Sequence, residues 1–78
     1  MYIEDKVNEL YQELENNNIP FEIESISAHF NILVAYNDDV NLFVIYKSFP
    51  IIYLKKADKR TMWEEFTHEL AHYAMHDS

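Results

Sequence analysis

The run Thr61-Met62-Trp63-Glu64-Glu65-Phe66-Thr67-His68-Glu69-Leu70-Ala71-His72-Tyr73-Ala74-Met75-His76 keeps one period throughout, that of an α-helix. With about 100° per residue and His68 as origin, Trp63, Phe66, Leu70, Tyr73 and Ala74 form an apolar stripe centred at about 190°. His72, Glu65 and His76 gather at about 50°, on the opposite side. One face must pack on apolar material, and the other is free to carry chemistry.

Within that helix, His68-Glu69-Leu70-Ala71-His72 reads HExxH. Residues four apart lie one turn above each other, so both imidazoles project from one face at a spacing that suits a single Zn²⁺. Glu69, about 100° round from His68, can reach a metal-bound water without ligating the metal. That arrangement belongs to zinc peptidases. With four histidines in 78 residues, chance supplies the motif about 0.02 times per chain of this composition. A solvated polar face with two coincidental histidines is the competing reading, but such faces favour Lys and Glu over stacked His.

Working outward, Ile51-Ile52-Tyr53-Leu54, then Lys59-Arg60, then Trp63 to Thr67 and His68 to His76 resemble the ImmA/IrrE metallopeptidases over residues 51–77. The shared pattern is an apolar strand, a short basic link and the HExxH helix. The resemblance implies zinc held by His68 and His72, with Glu69 as general base. It also implies a protein substrate, a helix-turn-helix repressor of a phage or mobile element. Ala71 stands where the family usually has Gly.

Earlier in the chain, Ile3, Val7, Leu10, Tyr11 and Leu14 give a second amphipathic helix over Tyr2 to Glu15, with Glu4 and Asp5 favourable at its N-terminal dipole. Phe21 to Ser25 alternates apolar and polar, which predicts a half-buried strand. Phe30 to Tyr36, Asn41 to Lys47 and Ile51 to Lys55 are rich in β-branched and aromatic residues and predict three more. The chain has no Gly, so Asn, Asp, Ser and Pro must turn it, at Asn16-Asn17-Asn18 with Pro20, Asn37-Asp38-Asp39, Ser48 with Pro50, and Asp58. A hairpin about Asn37 to Val40 is expected, and Pro50 suits an edge strand. The order predicted is α-β-β-β-β-α. This is an α+β domain, with a mainly antiparallel sheet of three to four strands and both helices packed on it.

Seventy-eight residues make one domain, and the resemblance implies that residues 1–78 form the N-terminal part of a larger zincin-like domain. Hydrophobic content of 49% and aromatic content of 15% indicate a packed globule. With no Cys, disulfides and thiolate zinc sites are excluded, consistent with a cytoplasmic protein. No signal peptide or apolar run long enough for a membrane span is expected. A formal charge of −8 opposes direct nucleic-acid binding. The cluster Lys55, Lys56, Lys59 and Arg60 reads as a solvated connection. The tyrosines, including Tyr36, Tyr46, Tyr53 and Tyr73, read as core-edge residues, and His29 as a surface or hydrogen-bonded side chain.

A catalytic zinc needs three protein ligands. In the resembled family the third is a carboxylate on a later helix, which this sequence does not contain. Glu65 and His76 share the polar face but are eleven residues apart, about 16 Å along a straight helix, so they cannot both reach one ion; Asp77 points elsewhere. The function expected is a zinc-dependent metallo-endopeptidase whose competence turns on that ligand. The other expectation is a non-catalytic remnant of the fold that binds a regulator without cutting it. A homo-oligomer is expected in either case; where the later helices are missing, the apolar surface they leave bare favours it.

Overall fold

A computed structural model describes residues 2–76, in the order α1 (Tyr2–Asn16), α2 (Ile23–Phe30), β1 (Leu33–Asn37), β2 (Leu42–Tyr46), β3 (Phe49–Lys55) and α3 (Lys59–His76). The fold is α+β, and the HExxH run lies inside α3.

One expected strand is a helix. The alternation over Phe21 to Ser25 ends in a bend, with Glu22 still extended (φ −134°, ψ 148°) and α2 starting at Ile23. Ile23, Ile26, Ser27 and Phe30 recur at i, i+3, i+4 and i+7, and Ile26 and Ser27 are buried. The five-residue window is too short to separate a period of two from one of 3.6.

Asparagine closes both N-terminal helices in place of glycine. Asn18 (φ 56°) and Asn31 (φ 57°) adopt the left-handed conformation. Each helix end then satisfies two carbonyls. Ile19 N donates to Leu14 O and Asn18 N to Glu15 O; Ile32 N donates to Ser27 O and Asn31 N to Ala28 O. Short polar side chains tolerate this conformation where glycine is lacking.

The sheet has three strands in the order β1-β3-β2. β1 runs parallel to β3 (Leu33 opposite Ile51, Tyr36 opposite Leu54), and β2 runs antiparallel to it (Phe43 opposite Ile52). The expected hairpin about Asn37 to Val40 therefore does not form between β1 and β2. That segment instead carries the chain past the end of β3. The Asn37 side chain organises it, accepting from Asp39 N (2.7 Å) and Val40 N (2.8 Å) and donating to Leu54 O (3.3 Å). The hairpin lies between β2 and β3, turning through Lys47 (φ 52°) and Ser48 (φ 70°). Two consecutive positive φ values are what the twist of a two-residue hairpin requires.

β3 is thus central, not an edge. Pro50 is accommodated because pairing with β1 begins one residue later, at Ile51. Ile52 and Leu54 on β3 point towards the helices and are fully buried, with Leu14, Ile26, Ile32, Phe66 and Leu70 in one cluster. α3 packs on α1 and lies across β3 and β2, while α2 packs on β1.

Candidate metal centre

α3 is started by Asp58, which accepts from Thr61 N (2.9 Å) and from the Thr61 hydroxyl (3.0 Å). These hydrogen bonds hold the Asp58 carboxyl below the ordinary aspartate range. The buried face of the helix is the predicted one, with Phe66, Leu70 and Ala74 inside.

On the other side, His68 and His72 are both exposed, their ring centres 5.0 Å apart and their planes at 86°. Glu69, between them in sequence, is only 6% exposed. The helical wheel puts it on the flank between the polar and apolar faces, and β2 packs over that flank. Glu69, His72, Met75 and His76 line a cleft of about 460 Å³ whose opposite wall is Leu42 and Phe43 of β2. Among the described residues none makes a hydrogen bond or ion pair with the Glu69 carboxylate. A carboxylate so placed is available to take a proton from a molecule in the cleft.

Two imidazoles would supply two of the three protein ligands that a catalytic zinc needs. Among the described residues no group of three His, Cys, Asp or Glu side chains could hold an ion together. His76 instead lies against Phe43, ring centres 6.2 Å apart. Asp77 lies outside the described residues. His29 is engaged elsewhere, its Nε2 2.6 Å from Glu13 Oε2 and its ring edge-on to Phe30. The pair thus ties α2 to α1.

No known protein family, curated protein or solved structure matches this chain.

Other predicted positions fall as follows. Lys55, Lys56, Lys59 and Arg60 are exposed; Lys56 Nζ is 3.8 Å from Asp38 and Arg60 Nε 3.4 Å from Glu64, as a solvated connection requires. Tyr36 donates to Glu24 Oε2 (3.1 Å), and burial together with that carboxylate pushes its phenol above the ordinary tyrosine value. Tyr73 joins an aromatic group with Phe30 and Phe43. Among the described residues no helix is long and apolar enough to cross a membrane. The wall formed by Leu42 and Phe43 was not legible in advance, because the sequence places β3, not β2, at the edge.

Proposed function

We propose that this chain is a cytoplasmic HExxH-type zinc-dependent metallo-endopeptidase domain, similar to the ImmA/IrrE metallopeptidases. The observation that carries the reading is one juxtaposition: two exposed imidazoles one turn apart, with a near-buried Glu69, unpaired among the described residues, that lines a cleft together with His72. His68 and His72 would hold the metal, and a third ligand has to come from outside the described residues. When bound, zinc supplies Lewis-acid activation of water at neutral pH. Glu69 takes the proton of the attacking water on its carboxylate and passes it to the leaving amine.

The strand that would align an extended substrate is β2. Central β3 has neighbours on both sides, whereas β2, among the described residues, pairs with β3 alone and borders the cleft. Its outer edge can accept a peptide by strand addition. A helix-turn-helix repressor of a phage or mobile element is the substrate proposed. The test mixes protein, zinc and candidate repressors, with Glu69→Gln as control. Cleavage that survives Glu69→Gln removes this mechanism.

A second reading is favoured by the lack of a third ligand among the described residues. In it the chain is a non-catalytic relative that binds a regulator. Calorimetry separates the two: sub-micromolar zinc binding lost in His68→Ala and His72→Ala supports the peptidase, and no binding at neutral pH supports the second reading.

A further inference from the structure

The helices cover one face of the sheet only. The register puts Leu33 of β1, Val44 and Tyr46 of β2, and Phe49, Ile51 and Tyr53 of β3 on the other face. None of these six belongs to the buried cluster or packs against it. Leu33 is 54%, Tyr46 61% and Phe49 57% exposed. A sheet with one solvated face normally alternates apolar and polar residues, and here the outward positions are apolar on all three strands except for Asn37 and Lys55, paired at one end of the face.

We infer that this bare face docks a second copy of the chain, sheet against sheet. Area is the first argument. Given about 150–250 Å² per large side chain, Leu33, Tyr46 and Phe49 leave about 260–430 Å² exposed, and the half-buried Val44, Ile51 and Tyr53 bring the face to on the order of 500 Å² per copy. Two copies would then bury about 1,000 Å², where specific interfaces begin. A patch of this size matches the largest that a typical single chain carries, and such patches often mark an interaction site.

Charge is the second argument. A chain of formal charge −8 repels its own copy unless the charges are kept apart. The six residues named carry none. Asp5, Glu9, Glu13 and Glu15 of α1, Glu24 of α2, and Glu64 and Glu65 of α3 all belong to helices on the far side of the sheet. Packed sheets lie about 10 Å apart, so each helical layer stays several Debye lengths of about 8 Å from its counterpart. A basic partner, by contrast, would be drawn to the helices and away from this face.

The test is sedimentation equilibrium of the whole chain from low to high micromolar concentration. The expected mass is twice the 9.4 kDa of one chain. Ile51→Lys, at the centre of the face, should weaken association at least about tenfold, since a charge would be buried without a partner. Glu64→Lys, on the helical side, should leave the mass doubled. The emission of Trp63, which packs with the core on the opposite side of the sheet, reports folding. Should Ile51→Lys unfold the chain, Leu33→Lys with Tyr46→Lys at already exposed positions carries the same test. A monomer throughout the concentration range overturns the inference, as does a dimer that survives the face variants or one that Glu64→Lys abolishes. This test uses no metal and no substrate, so its outcome is separate from the peptidase reading.

Discussion

The ring centres of His68 and His72 lie 5.0 Å apart with planes at 86°, and both rings are open to solvent. Under the proposed function these two imidazoles would be the metal's anchor on α3. Removing either is expected to abolish sub-micromolar zinc binding while leaving the fold intact. Binding should also weaken as pH is lowered, because a proton competes with the metal for each imidazole nitrogen. Calorimetric titrations at two pH values check both; equal affinity in His68→Ala and the unaltered chain would remove the anchor.

Asp58 makes the start of α3 sensitive to acid. Its carboxyl is held low in the folded state by the Thr61 amide and hydroxyl. A depressed folded-state pKa contributes stability that is complete above the unfolded value of about 4 and lost as pH falls through the lower folded value. Asp58→Ala should lower the melting temperature at neutral pH, and its difference from the unaltered chain should shrink in acid. Melts followed by circular dichroism across that range give the answer; a difference independent of pH would show that the carboxylate's charge is not involved.

Leu70 is 1% exposed and adjoins the Glu69 position on α3. Leu70→Ala is expected to cost about 2–5 kcal/mol through lost burial and a residual cavity. A domain this small is stable by on the order of 5 kcal/mol, so the variant should be largely unfolded in mild denaturant. A urea midpoint close to that of the unaltered chain would show that the α3 core is looser than its burial indicates.

Ser27 is 5% exposed, and its Oγ finds no hydrogen-bond partner among the described residues. Leaving a hydroxyl buried and unmatched costs about 1–3 kcal/mol. Ser27→Ala removes that cost and improves helix propensity, so it should raise stability by roughly 1 kcal/mol. Chemical denaturation measures it, and a loss of stability would reveal a polar partner for Oγ in solution.

Lys47 and Ser48 hold positive φ without glycine. Replacing the pair by Asn-Gly, which suits this turn, should stabilise the β2–β3 hairpin by about 1 kcal/mol. Amide exchange in β2 and β3 should slow accordingly. Unchanged exchange would mean that the turn does not limit opening of the hairpin.

Helices α1 and α3 are legible because their apolar residues repeat over about three turns. α2 is ambiguous in sequence because Phe21 to Ser25 fits a strand equally well, and only Ile26 and Phe30 beyond it break the tie. The hairpin joins β2 and β3, not the two strands that flank Asn37 to Val40. Asn37, Asp38 and Asp39 look like a tight turn, and they do make one, but the strand that follows pairs on the far side of β3.

By itself the sequence determined the amphipathic helices α1 and α3, the breaks at Asn16 to Asn18, Asn37 to Asp39, Ser48 and Asp58, and the closeness of His68 to His72. All of these follow from contacts within a few residues, fixed by helical geometry or by local turn chemistry. Strand order, the central place of β3, the wall of β2 beside Glu69 and the bare outer face were decided only by tertiary structure. Strand partners are distant in the chain, and many pairings satisfy the same local pattern. The choice falls to whichever one buries Ile52 and Leu54 beneath α3, an energy that no single stretch of sequence contains.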